Sequence, residues 1–311
     1  MTPAPFHTTL ENTMAPPLRT IGVVGTGCIG ASVCVDYVIH GFRVIAVDTD
    51  QTALDDTRRL LRETNRFLPA VRPGLDRLPA ATADERLVTT TELTALADCE
   101  FVVENISERW EAKRDLYRAL DKILPAGTGI GVNTSSIPVG LLAAETTRPE
   151  RVVGIHFMNP SYLKDAVEVM RGAATSDACL AYVQEMLGRL GKQSVVVGDF
   201  PGFVSNRISH LFFNEAIRTV QDQGERPEVV DDIFKKCFGH TMGPLETADL
   251  IGLDTVLLTL EYLHDSYRDD RYQACSLLRE MVAAGRLGRK SGRGFYEHRG
   301  TAAADTTRNA R

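Results

Sequence analysis

Short β-branched apolar runs alternate with longer amphipathic stretches through the first part of the chain. Ile21 to Val24, Arg43 to Val47, Phe101 to Val103, Ile130 to Val132 and Val152 to Ile155 read as strands. Each is apolar at consecutive positions, the pattern of parallel strands covered on both faces. Helical periodicity over 29–40, 51–66 and 109–123 separates them, and the alternation predicts a doubly wound α/β sheet of Rossmann-like type. From Pro201 the pattern changes to amphipathic helical stretches punctuated by Gly224, Gly239, Gly243, Pro244 and Gly252. An all-α C-terminal domain is expected there. The divisions are a disordered leader over 1–18, an α/β domain over 19–200, a helical domain over 201–298 and a disordered tail over 299–311. No internal repeat interrupts this scheme.

A length of 311 residues is enough for about two domains, and 43% apolar with 24% charged residues is the balance of an ordinary globular protein. The 35 basic residues stand against 41 acidic ones, a net charge of −6 that argues against nucleic acid as the main partner. No apolar run approaches the roughly 18 residues needed to cross a bilayer, and no basic stretch precedes an apolar one at the N-terminus. A cytoplasmic protein without a membrane partner is expected. Six scattered cysteines lack a CxxC pair or histidines at ligand spacing, so reduced thiols and no metal site are expected.

The first predicted strand runs into Gly25-Thr26-Gly27-Cys28-Ile29-Gly30 and then into a helix. In that context the glycines serve a dinucleotide: Gly25 for the tight turn, Gly27 for approach of a pyrophosphate to the helix N-terminus, Gly30 for close helix–strand packing. Asp48 ends the second strand, 18 residues past Gly30, where a carboxylate accepts ribose hydroxyls and repels a 2′-phosphate. NAD is favoured over NADP; a structural glycine turn and a flavin stay open on this fingerprint alone.

Two polar segments follow later strands. Asn133-Thr134-Ser135-Ser136 comes after Ile130–Val132, and His156-Phe157-Met158-Asn159-Pro160 after Val152–Ile155. Both fall at carboxyl ends of parallel strands, where open α/β sheets hold ligands. Glu168 stands twelve residues beyond His156 inside the apolar run Ala166–Met170, where an ionisable group needs a partner, and His156 is the most economical one. An imidazole oriented by a carboxylate can take a hydroxyl proton while hydride leaves the same carbon. Taken singly, these residues also read as structural: His156 as a core or loop histidine, Glu168 as an edge-strand charge, Ser135, Asn133 and Asn206 as helix caps.

The chain resembles the L-3-hydroxyacyl-CoA dehydrogenase family from about Arg19 to His298. The stretches that carry the resemblance are GVVGTGCIG, FVVEN, NTSSI, GIHFMNP, VEVM, DFPGFVSNRI, MGPLETADLIGLDT and GRKSGRGFY. It implies a Rossmann-like domain, a helical domain bearing much of a homodimer interface, and an acyl thioester substrate. It implies His156 as acid/base with Glu168 orienting it, Ser135 touching the substrate oxygen, Asn206 lining the same pocket and Asn159 holding the active-site loop. Glu104 and Asn133 are expected near the nicotinamide half. The Lys290–Tyr296 segment is expected to pack back near the domain junction, and His7, His40, His210, His240, His264 and His298 are read as structural.

Two departures from the family pattern bear on substrate. After HFMNP the family has an apolar stretch, whereas this chain has Ser161-Tyr162-Leu163-Lys164-Asp165, which predicts a more polar site wall and a short or hydroxylated acyl group. Over 51–80 the family carries lysines that meet the phosphates of CoA. Here Arg58, Arg62 and Arg66 fall at i+4 steps on one helical face, with Arg59 and Arg72 near. They read either as a solvated face or as a landing strip for an anionic carrier, CoA or an acyl carrier protein. The HFMNPSYLKDAVEV and CFGHTMGPLETADLIGLDT wording is similar to the subgroup that oxidises a glyceryl group on an acyl carrier protein for polyketide extender units. The expected function is NAD-dependent oxidation of the 3-hydroxyl of a short acyl thioester. A non-catalytic dinucleotide-binding sensor is the alternative from another class, and a Ser-His-Glu hydrolase is disfavoured because Ser135 lacks the G-x-S-x-G elbow.

Overall fold

A computed structural model of the protein describes residues 19–298. The expected leader (1–18), the expected tail (299–311) and His7 lie outside the described residues.

Eight strands form one sheet: β1 (Thr20–Val24), β2 (Arg43–Val47), β3 (Leu87–Thr90), β4 (Phe101–Glu104), β5 (Gly129–Val132), β6 (Val152–His156), β7 (Ala166–Arg171) and β8 (Gln193–Gly198). Their order is β3-β2-β1-β4-β5-β6-β7-β8, parallel from β3 to β6. β7 then runs antiparallel to β6 and β8 parallel to β7. The five predicted strands are present, with ends moved by no more than one residue. β3, β7 and β8 complete the sheet. Their signal is weaker for a physical reason: β3 is only LVTT, β7 contains Glu168, and β8 sits at the open edge with Val195 and Val196 exposed.

Helix α1 (Cys28–Ile39) is apolar nearly all round and ten of its residues are buried, so it sits against the sheet with almost no face to water. Helix α2 (Gln51–Arg66) starts where the Asp50 side chain accepts from the Thr52 amide at 2.8 Å. It is amphipathic. Leu54 and Leu61 are fully buried, each contributing about 1.5–3 kcal/mol, and they fix which face turns its arginines outward. Two apolar layers, one on each side of the sheet, build the core of this half.

A separate core joins the helices Ser205–Gln223, Pro227–Cys237, Pro244–Ile251, Leu253–Tyr267 and Ser276–Ala283. The C-terminal segment folds back on them. Phe295 and Tyr296 donate their amides to Asp249 at 2.9 and 3.0 Å, Tyr296 donates its hydroxyl to Asp231 at 2.6 Å, and Lys290 pairs with Asp254 at 2.6 Å. All these partners are in the helical half, so the segment latches that half to itself rather than to the domain junction. Gly294 is required there, because a Cβ would meet Asp249 Oδ1 at 2.0 Å. Four of the histidines read as structural have a polar partner: His298 with Asp249 at 2.8 Å, His264 with Asp270 at 3.3 Å, His40 with Asp36 at 3.2 Å, and His210 with the Asn206 carbonyl at 3.0 Å. The Asp249 contact comes from tertiary folding and the Asp270 contact from the turn past a helix end, both invisible to helical spacing; the Asp36–His40 and Asn206–His210 steps are i,i+4 and were open to it.

Among the described residues no helix is long and apolar enough to cross a membrane, and no group of His, Cys, Asp and Glu could hold a metal ion. The six cysteines are free; Cys28 and Cys237 are exposed and the other four buried.

Candidate active site

His156 is the last residue of β6, and the antiparallel register sets Glu168 of β7 directly opposite it. Such neighbours across a ladder are close enough for their side chains to meet. His156 Nδ1 lies 3.0 Å from Glu168 Oε2. A carboxylate can only accept, so Nδ1 carries the proton and Nε2 is the nitrogen left to the cleft. Ser205 donates its hydroxyl to the same Oε2 at 2.6 Å, and the amides of Val204 and Ser205 donate to Oε1, each at 3.0 Å. Burial alone would push the Glu168 carboxyl up. The bonds from His156 and from the Ser205 hydroxyl and amide outweigh it and hold the group down at about 2.

Facing this pair is the loop after β5. Glu108 organises it: Oε1 accepts from the amides of Ser135 (3.1 Å), Ser136 (2.9 Å) and Ile137 (3.1 Å) and from the Thr134 hydroxyl (2.5 Å). Asn133 bridges across, donating to Asn105 Oδ1 at 2.7 Å and accepting the Phe157 amide at 3.2 Å. Asn206, at the start of the first helix of the helical half, donates to the Ser135 carbonyl at 3.0 Å. The cleft between is lined by Ile29, Asn105, Ile106, Glu108, Asn133, Thr134, Ser135 and His156.

The dinucleotide loop borders the same cleft through Ile29. Gly25 has φ +84°, a conformation that favours glycine, and a Cβ on Gly30 would meet the Gly25 carbonyl oxygen at 1.9 Å. A Cβ on Gly27 would meet nothing within 4 Å, and no side chain caps α1, so its first amides face open space. Asp48 Oδ2 accepts the Thr26 amide at 2.6 Å and Oδ1 the Asp50 amide at 3.0 Å, which holds the carboxylate at the end of β2. A tight glycine turn, an open helix N-terminus and an oriented acid fit NAD. Asn159 links the two loops by donating to Cys28 Sγ at 3.1 Å.

His156, Glu168, Ser135, Asn206 and Asn133 are thus brought together, with Ile29 beside them. Glu104 is not among them: it is wholly buried beneath the cleft, 2.9 Å from the equally buried Lys113. Burial pushes its carboxyl up, against the pull of Lys113. Arg58 donates to Thr89 Oγ1 at 2.9 Å and Arg62 lies 3.3 Å from Asp84, so both are engaged with their own half and neither lines the cleft. Residues 161–165, the expected polar wall, are also not among those lining the cleft. Ser161 is buried and donates to Asp36, and Asp165 pairs with Arg72 at 2.5 Å. Sequence reasoning missed Ser205, Glu108 and Lys113. Glu108 follows the carboxyl end of β4 as Asn133 and His156 follow theirs, so the same edge rule would have found it; Ser205 and Lys113 gave no comparable signal.

The family profile described as "3-hydroxyacyl-CoA dehydrogenase, NAD binding domain" matches residues 20–200, and the one described as "3-hydroxyacyl-CoA dehydrogenase, C-terminal domain" matches 202–298. A protein of Deinococcus radiodurans named probable 3-hydroxybutyryl-CoA dehydrogenase is 43% identical over 277 residues, 89% of this chain and 99% of the relative. The 3-hydroxybutyryl-CoA dehydrogenase of Bradyrhizobium diazoefficiens is 39% identical, over 92% of this chain and 98% of the relative. Among solved structures, the (S)-3-hydroxybutyryl-CoA dehydrogenase of Ralstonia eutropha superposes with a TM-score of 0.85 at 35% identity, covering 91% of this chain and all of that one.

Proposed function

The chain belongs to the 3-hydroxyacyl-CoA dehydrogenase family, and from that premise we propose that it oxidises the 3-hydroxyl of a short acyl thioester with NAD, using His156 as acid/base. The observation that carries this reading is the His156–Glu168 hydrogen bond at 3.0 Å, which leaves one imidazole nitrogen to a cleft shared with the dinucleotide loop. When bound, NAD supplies the acceptor for the hydride that leaves C3. His156 Nε2 takes the hydroxyl proton, and the ionised Glu168 stabilises the imidazolium that forms. Ser135 orients the C3 oxygen, Asn206 the thioester carbonyl, and Asp48 the adenosine ribose. Asn159 steadies the loop after His156, and Gly25, Gly27, Cys28, Ile29 and Gly30 form the bed for the pyrophosphate.

The short acyl group follows the 3-hydroxybutyryl substrates for which the relatives are named. CoA is the first carrier; an acyl carrier protein is the second reading, favoured by the outward arginines of α2, among which Arg59 and Arg62 are exposed. A homodimer through the helical half is supported by Ile208 and Ile233 on neighbouring helices and Phe238 just past the second of them, apolar residues 62%, 48% and 67% exposed.

The test is absorbance at 340 nm with acetoacetyl-CoA and NADH. The protein should consume NADH, and His156→Ala should lower turnover about a hundredfold or more while NADH still binds. A sensor would bind NADH and leave the absorbance unchanged, and undiminished turnover in the variant would remove His156 from the mechanism. Comparing 3-hydroxybutyryl-CoA with glyceryl-acyl carrier protein in the oxidative direction assigns the carrier.

A further inference from the structure

Beneath the turn that joins β6 to β7 lies a set of charges that the proposed chemistry does not use. The side chains of Lys192, just before β8, and of Asp36, in α1, are both wholly buried, with Nζ 3.0 Å from Oδ2. The same ammonium donates to the carbonyls of Ser161 at 2.8 Å and Lys164 at 2.5 Å, so its three N–H groups have three acceptors. Ser161 donates its hydroxyl to Asp36 Oδ2 and its amide to Ser32 Oγ at 3.1 Å, and Ser32 donates to the Ile29 carbonyl at 2.8 Å. Asp36 Oδ1 lies 3.2 Å from His40 Nδ1.

A buried ion pair is a poor source of stability compared with apolar side chains of the same volume, because desolvation offsets much of its attraction. What this one does provide is direction. Ser161 bonds α1 directly through Ser32 and Asp36, and Lys192 bridges Asp36 to the Ser161 and Lys164 carbonyls, so the set ties α1, which begins in the dinucleotide loop, to the turn 157–165, which begins immediately after His156. Asn159 and Cys28 touch at the open end of the same contact. Ser161 belongs to the stretch in which this chain replaces apolar residues, and its polarity is spent on α1 rather than on the cleft.

We propose that Asp36, Lys192 and Ser161 form a positioning joint that fixes the turn after His156 to the dinucleotide helix, so that imidazole and cofactor keep one relative placement. None of the three lines the cleft. The proposal rests on the dehydrogenase reading, since it needs a hydride acceptor on the α1 side. Misplacing reacting groups by about an ångström slows reaction far more than it weakens binding. The joint should therefore govern kcat and not cofactor affinity.

The test is the double variant Asp36→Leu with Lys192→Met, which removes both charges together, compared with the full wild-type chain. Expected are a kcat about tenfold lower, an NADH Kd within about twofold by fluorescence titration, and a larger primary isotope effect with 3-deuterated substrate. In the free protein, hydrogen exchange of peptides spanning 157–165 should be faster. A folded double variant with wild-type kcat and unchanged exchange overturns the joint. Should that variant fail to fold, Ser161→Ala, which removes a single hydroxyl, must still lower kcat by about threefold and speed exchange in the same peptides, and wild-type values for both reject the proposal. Wild-type protein inactive on every 3-hydroxyacyl thioester would instead end the dehydrogenase reading, while the exchange difference stays measurable without any turnover.

Discussion

Where β6 meets β7 an acid and a base meet with one nitrogen to spare; past the carboxyl ends of β4 and β5, at the middle of the sheet, an acid and a base meet with none. His156 gives Nδ1 to Glu168 and keeps Nε2 for the cleft. Lys113 spends its ammonium on both oxygens of Glu104, each at 2.9 Å, and on the Asn133 carbonyl at 3.0 Å, with Glu108 at 3.4 Å. The first pair is at the edge of solvent and the second is sealed from it. What separates a reacting pair from a supporting one is therefore not composition or burial alone. It is hydrogen-bonding capacity left unspent and pointed at open space.

The largest effect should come from breaking the sealed pair on one side. Lys113→Met strips the wholly buried Glu104 of its counter-charge, with Glu108 deprived of the same cation, and should cost about 3–5 kcal/mol in urea unfolding. Adding Glu104→Gln should restore most of that loss. A single variant as stable as the wild type would show that the pair is not a support at all.

Breaking the open pair should show chiefly in turnover. Glu168→Gln keeps the shape but loses the charge that steadies an imidazolium, so kcat should fall about 10- to 100-fold. Its acid behaviour sharpens the contrast. Because the folded-state value is depressed to about 2, the carboxylate stabilises the fold fully above the unfolded carboxyl range, and that contribution is lost as pH falls from there toward 2. The variant should accordingly lose less stability than the wild type over that interval of an acid titration followed by circular dichroism. Parallel curves would mean that Glu168 is not held ionised by its neighbours.

The same contrast marks what could be read from residues alone. The strands around β1 were legible because burial on both faces leaves continuous apolar runs, and GTGCIG was legible because Gly25 and Gly30 answer backbone demands that no other residue meets. His156 and Glu168 could be paired because an isolated charge in an apolar run has to have a partner. Lys113 was not legible. It sits in WEAKRDLYRALDKI, an ordinary charged helix by pattern, and only the packing of that helix on β4 turns it inward. Ser205 was hidden differently, since it reaches Glu168 from the other half of the molecule, 37 residues away in sequence. Lys192 and Asp36 show the same limit: charges 156 residues apart that only the sheet order brings together.

The smallest effect belongs to the outward face of α2, where charge is neither sealed nor aimed at the cleft. Arg62 is already 3.3 Å from Asp84, and both are largely exposed, so their attraction is weak and screened. Arg62→Glu should leave stability nearly unchanged. If this face guides an anionic carrier, the variant should raise KM for the thioester by a few-fold at low ionic strength and by much less at high salt, with kcat unaltered. A larger salt-dependent rise with an acyl carrier protein than with CoA would mark the protein as the carrier, because a macromolecule presents many charges to the face and a nucleotide only its phosphates. A KM independent of salt for both would leave Arg58 and Arg62 as what their bonds to Thr89 and Asp84 already make them, a helix face tied to its own domain.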